Sequence, residues 1–218
     1  MALMTSSPEK PIIRCVIYDC DGVLFDSFEA NTRLYNDLCL AVGRECLREE
    51  EMNYVHSHTV YESIHTVFGH EDGLERKALE ALKKFDLRDY IVYLKMEPHL
   101  LEALEGLKKK GILRAVNTNR TTSMPHIMER FNLQPYFELV VTALDVKHPK
   151  PHPESIGKIL EVFQLKKEEA LFIGDSEVDQ QTAQASGVRF VAYKNRGMDA
   201  TFHIEDHLDL LRILNSQL

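Results

Sequence analysis

The chain has 218 residues and 44% hydrophobic composition, with 26 Lys and Arg against 34 Asp and Glu, a formal charge of −8. That is enough chain to bury a core without disulfide or metal staples, and the composition excludes extended disorder. The acidic balance excludes a general attraction to nucleic acid or anionic membrane, and no run of about 18 apolar residues suggests a span.

Residues 1–10 read as a loose lead-in with no signal-peptide pattern. Residues 12–18 are apolar and β-branched, a short buried strand that stops abruptly at Asp19-Cys20-Asp21-Gly22. Residues 28–95 change character: helical periodicity, little strand signal, and charge throughout. Leu34, Tyr35, Leu38, Ala41 and Val42 fit one helical face, and Leu79, Leu82 and Phe85 another. From residue 97 strands and helices alternate. Pro98 is expected at a helix first turn, Leu100, Leu101, Leu104 and Leu107 as its buried stripe, and Gly111 as its stop behind Lys108 to Lys110. Strands are expected at 112–116, 137–141, 170–173, 189–193 and 202–204. Helices are expected at 123–131, 153–163, 178–186 and 208–214. This alternation implies βαβ units around a parallel sheet. The layout is a discontinuous α/β core over 11–27 and 96–218, with an all-α domain inserted at 28–95. The four cysteines (Cys15, Cys20, Cys39, Cys46) form no CxxC pair, which suits a reducing cytoplasm better than a disulfide framework.

Open parallel sheets bind ligands beyond the carboxyl ends of their strands. There the sequence places Asp19 and Asp21, then Thr118, Asn119 and Arg120, then Lys150-Pro151, then Gly174-Asp175 and Asp179. Crowded carboxylates repel unless a proton or cation offsets them. Oxygen-only ligands from Asp19, Asp21 and Asp175 favour Mg²⁺. With Lys150 as a fixed cation and Thr118 as a hydroxyl, the set suits a phosphoryl group attacked in line by a carboxylate.

Asp19-Cys20-Asp21-Gly22-Val23, Thr118, Lys150-Pro151 and Gly174-Asp175 with Asp179 resemble the four ordered motifs of the haloacid dehalogenase superfamily. The resemblance implies a Rossmann-like core with helices on both faces. It implies Asp19 as nucleophile and metal ligand. Asp21 would be acid, then base, its carbonyl also on the metal. Thr118, Asn119, Lys150 and the amides around Cys20 would bind the phosphoryl group. Asp175 would bind Mg²⁺, and Asp179 would support that site. Asp21 favours phosphate esters, because the superfamily's dehalogenases lack an acid there. The helical insertion resembles the mobile cap of the phosphoglycolate phosphatase and β-phosphoglucomutase branch, which implies a Mg²⁺-dependent phosphatase of a small phosphorylated metabolite. Nucleic-acid and membrane partners are not implied, and monomer and homodimer stay open. The alternatives are a sugar-phosphate mutase or a silent phosphate-binding protein. Asn31 stands where the mutases usually carry histidine, which disfavours the first. Residues 28–68 hold no lysine, which disfavours the Schiff-base phosphonate hydrolases.

Between Asn53 and His65, the side chains of Tyr54, His56, Ser57, His58, Tyr61 and His65 either line a substrate pocket or cover a helix surface. Cys20 reads as a small buried apolar residue rather than a redox brake. Arg120 either reaches substrate or faces solvent.

Overall fold

A computed structural model describes residues 12–70 and 73–216; the expected lead-in at 1–10 lies outside them. A six-stranded sheet is formed by β1 (Cys15–Tyr18), β4 (Leu113–Asn117), β5 (Leu139–Val141), β6 (Ala170–Gly174), β7 (Arg189–Tyr193) and β8 (Phe202–Ile204). Their order is β5-β4-β1-β6-β7-β8, and every pairing is parallel. The chain leaves β1 toward one edge, then crosses back over β1 to build the other. β1 therefore lies at the topological switch point, where the diverging connections open a crevice at the strand ends.

Alternate residues of each strand enter separate cores. Val16, Tyr18, Val116, Ile173 and Val191 pack with α6 (Leu100–Lys109), α7 (Met124–Arg130) and α10 (His207–Ser216). Cys15, Ile17, Ala115, Phe172 and Phe190 pack against α8 (Glu154–Phe163) and α9 (Glu177–Ser186) on the opposite face. The near-continuous apolar reading of these strands follows from burial on both faces. All four cysteines are free, and all but Cys46 are buried. Among the described residues no helix is long and apolar enough to cross a membrane.

The insertion comprises α1 (Phe28–Val42), α2 (Glu49–Ser57), α3 (Val60–Phe68), α4 (Leu74–Leu82) and the short α5 (Arg88–Ile91). It has its own apolar cluster, centred on Tyr35, Leu38, Val55, Ile64, Val67 and Phe68. A two-stranded antiparallel ribbon, β2 (Phe25–Asp26) with β3 (Lys95–Met96), carries the chain out and back, pairing Phe25 with Met96.

Three local expectations need correction. Leu101 is 37% exposed, while Ala103 completes the stripe with Leu100, Leu104 and Leu107. Pro98 precedes the helix rather than opening it. Glu97, anchored by the Tyr193 hydroxyl at 2.9 Å and Lys194 Nζ at 2.5 Å, makes the turn, and α6 starts at Leu100. On α1 the buried side is Ala30, Tyr35, Leu38 and Cys39. Ala41 is exposed, and Leu34 and Val42 are half-buried. Leu34 sits at the edge of that side, packed against the insertion's core on one side and bordering a cavity on the other.

His207 is fully buried, donates from Nε2 to the Val23 carbonyl at 2.9 Å, and stacks on Tyr193 at 4.6 Å. Burial lowers its pKa. The unfolded chain takes up a proton near pH 6.5 before the folded one does. This contribution to stability is complete above that pH and declines as pH falls below it. The urea stability of the native chain minus that of His207→Gln is expected to shrink from pH 7.5 to 5.5. A difference that stays flat would refute the assignment.

Candidate active site

The sheet order places the ends of β4, β1 and β6 side by side. Asp19 follows β1, Thr118 follows β4, and Asp175 follows β6. Lys150 comes from the loop before α8 and is 3% exposed at its side chain. Its ammonium lies 2.7 Å from Asp19 Oδ1 and 2.6 Å from Asp179 Oδ1. Asp179 is oriented from its other oxygen, which accepts from the Ser176 hydroxyl at 2.6 Å in the capping box that starts α9.

Carboxylate oxygens of Asp19, Asp175 and Asp179 all lie within 4.8 Å of one another. Two glycines make the approach possible. A Cβ on Gly22, whose φ is +73°, would sit 2.0 Å from Asp175 Oδ2, and one on Gly174 would sit 2.3 Å from the Asp179 Cβ. Lys150 pairs with Asp19 and Asp179, and with all three carboxylates ionised two negative charges would stay uncompensated, which matches a divalent cation. Burial first, and then repulsion from Asp179, raises the Asp19 pKa to about 8 against the pull of Lys150. Asp175 is raised well above the usual carboxylate range by burial, Asp179 and Asp19. Burial alone would lower Lys150, but Asp179 and Asp19 outweigh it and raise its pKa. A hard oxygen set with excess negative charge fits a hard divalent cation.

Asp21 has a separate environment. Arg120 holds it with two bonds, Nε to Oδ2 at 2.7 Å and Nη2 to Oδ1 at 2.6 Å. Burial pushes the Asp21 pKa up, but Arg120, helped by Ser27 and Asn31, turns the net direction down. Arg120 therefore neither faces solvent nor stands free in the cavity. Asn31 completes this cluster. Its amide nitrogen donates to Asp21 Oδ1 and to His56 Nδ1, both at 3.2 Å, and its oxygen accepts from Arg120 Nη2 at 3.3 Å. Because the amide donates to Nδ1, the ring proton belongs on Nε2. His56 is stacked on Phe28 at 4.8 Å, and burial lowers its pKa.

Thr118 is buried, with its hydroxyl accepting from the Arg120 amide at 3.1 Å. Asn119 holds the loop that carries Lys150. Its oxygen accepts from the Lys150 amide and its nitrogen donates to the Lys150 carbonyl, both at 3.1 Å. The same nitrogen donates to the Ser57 carbonyl at 3.3 Å, tying the lysine loop to the insertion. Cys20 is fully buried, and burial raises its thiol pKa, which suits a packing residue.

A cavity of about 580 Å³ lies between these strand ends and the insertion. Asp19, Asp21, Asn119, Arg120 and Lys150 border it on one side, and His56, Ser57, His58 and Tyr61 on another. Tyr54 instead stacks on His58 at 3.7 Å, and His65 pairs with Glu75 on the surface. The contacts of Arg120 and His56 join residues far apart in sequence, so spacing carried no signal for them.

The haloacid dehalogenase-like hydrolase family matches residues 16–193. A phosphoglycolate phosphatase of Aquifex aeolicus is 27% identical over 178 residues, covering 81% of this chain and 83% of that protein. The pyrophosphatase PpaX of Bacillus mycoides is 27% identical over 183 residues, covering 83% of each. Among solved structures, a subfamily IA hydrolase of this superfamily from Geobacter sulfurreducens is 40% identical, with a TM-score of 0.81 over 92% of this chain and 99% of that one. The ordered motifs, the parallel sheet that gathers them and the match over residues 16–193 agree: the chain belongs to the haloacid dehalogenase-like hydrolase family.

Proposed function

We propose that the chain is a Mg²⁺-dependent phosphatase that hydrolyses a small-molecule phosphate ester through an aspartyl-phosphate on Asp19. The observation that carries this reading is the cluster of buried Asp19, Lys150 and Asp179 with half-buried Asp175 at the ends of adjacent strands, and Asp21 two residues beyond Asp19. Relatives named phosphoglycolate phosphatase and pyrophosphatase support it.

Asp19, Asp175 and the Asp21 backbone carbonyl would hold the ion, with Asp179 supporting. When bound, Mg²⁺ neutralises the phosphoryl oxygens and the excess charge of the carboxylates. Asp19 attacks phosphorus as the bond to the leaving oxygen breaks, and Asp21 gives that oxygen a proton. Asp21 then takes a proton from the water that attacks the phosphoaspartate, which releases phosphate and restores Asp19. Lys150 balances the phosphoryl charge, and the Thr118 hydroxyl donates to one of its oxygens. Arg120 keeps Asp21 ionised, which suits the base step. The acid step requires that ion pair to open and Asp21 first to take up a proton from solvent, which the later proton from the attacking water then restores.

Residues 28–95 act in this reading as a cap over a core of 11–27 and 96–218. The β2–β3 ribbon is the covalent crossing, and a cap closing over the site excludes water during attack. Phosphate release from a panel of small phosphate esters, with Mg²⁺ or with EDTA, tests the proposal. Metal-dependent release is expected. Release that is indifferent to metal removes the Mg²⁺ assignment, and no release from any ester removes the phosphatase reading.

A further inference from the structure

The cavity beside the catalytic cluster is larger and less polar than a two-carbon acid or a second phosphate requires. Its volume, about 580 Å³, falls in the range of roughly 300–1,000 Å³ that holds drug-sized ligands. The two ends differ in chemistry. The sheet end carries Asp19, Asp21, Lys150 and Arg120. The insertion contributes an apolar wall: Leu34 from α1, Val60 from α3, Leu79 and Leu82 from α4, and Phe85 just beyond it. All five are half-buried, packed on one side against the insertion's own core and bordering the cavity on the other.

The cations point the same way. A small anionic leaving group such as glycolate needs a positive partner next to the phosphoryl site. Lys150 is engaged by Asp19 and Asp179, and Arg120 is engaged in two bonds by Asp21. His56 is held as a neutral ring by the Asn31 amide. Of the other basic side chains that border the cavity, Lys83, Lys84 and His126 are exposed to solvent, and His58 is half-buried, donating from Nδ1 to the Tyr54 carbonyl at 2.9 Å with its ring stacked on Tyr54. An apolar body recovers free energy from this wall in proportion to the area it removes from water, and a charged one would lose hydration without a partner.

We propose that the preferred substrate is a phosphomonoester whose leaving group carries a ring-sized, largely apolar body seated on the Leu34, Val60, Leu79, Leu82 and Phe85 wall. This inference rests on the phosphatase reading above and narrows its substrate class.

The test compares esters of unactivated primary alcohols, so that intrinsic reactivity varies little: ethyl, n-butyl and 2-phenylethyl phosphate, with phosphoglycolate and pyrophosphate alongside. With Mg²⁺ present, kcat/KM is expected to rise along the alkyl series, at least about tenfold from ethyl to 2-phenylethyl, mainly through KM. 2-Phenylethyl phosphate should also exceed phosphoglycolate and pyrophosphate. Leu82→Gln should reduce the ratio of phenylethyl to ethyl kcat/KM. The native series decides the matter without that variant if it does not fold. A flat series, or preference for phosphoglycolate or pyrophosphate, overturns the inference while leaving the phosphatase reading standing. Release no greater than that of Asp19→Asn for every ester overturns both.

Discussion

Asparagine at position 19 is expected to lower phosphate release by about 10⁴-fold or more, equivalent to roughly 5.5 kcal/mol of barrier. In the proposed mechanism Asp19 attacks phosphorus and shares in holding the metal; an amide cannot take the first part, and as a neutral ligand it fills the second less strongly. The fold should survive. Asp19 is buried near Asp179 and Asp175, and its raised pKa reports that its charge is disfavoured where it stands. Lys150 keeps its 2.6 Å partner in Asp179 after the change. Asparagine is close in size to aspartate, so the packing around it is retained. Without metal, the variant's melting temperature should equal or exceed that of the native chain. Loss of activity with an intact melting transition identifies a chemical role. Full activity would remove Asp19 as the nucleophile, and a lowered melting temperature would mean that the loss is structural.

The legibility of this chain follows the range of the interactions. The strands that enter two cores announced themselves as apolar runs, and each stopped where a polar motif began. β7 and β8 match their expected ranges, and β1, β4 and β6 differ only at their ends. The helix stop at Gly111 was readable because a glycine, here at positive φ, follows an apolar-periodic run. Pairings across long separations were not readable. The β2–β3 ribbon has two residues per strand, too few for a periodic pattern, and its partners lie on opposite sides of the insertion. The motif positions could be placed at the strand ends, but not the partners that set their electrostatics. Arg120 reaches back to Asp21 across the sheet end, and His56 meets Asp21 only through Asn31. Asn31 was legible as a departure from the mutase pattern. That its amide would connect an acid, a guanidinium and an imidazole is a property of the packed insertion. Asn119 shows the same limit: its place in the motif was plain, but its hold on both backbone groups of Lys150 depends on how the later loop returns.

Removing the ammonium of Lys150 should have the largest effect on stability, and an effect that depends on pH. Lys150→Met keeps much of the stem but leaves Asp19, Asp175 and Asp179 with no cation among them. Breaking a buried ion pair from one side typically costs about 3–5 kcal/mol. Here the carboxylates have a way out, because they can take up protons. Asp19 already has its pKa raised to about 8 with Lys150 in place, and Asp175 is raised as well. Without the lysine both should rise further. A group with a raised folded-state pKa binds protons in the folded chain before the unfolded one, so stability increases as pH falls through the folded value. The metal-free variant should therefore be least stable at alkaline pH and recover as pH is lowered toward about 6, more steeply than the native chain. Mg²⁺ should raise its melting temperature at pH 8, since a ligand that binds only the folded state stabilises it by mass action. Thermal melts of both proteins between pH 6 and 9, with EDTA and then with Mg²⁺, check all of this. A penalty that is the same at every pH and unmoved by Mg²⁺ would mean that Lys150 stabilises the fold through packing of its stem, and that the carboxylates around it are not the repelling cluster described here.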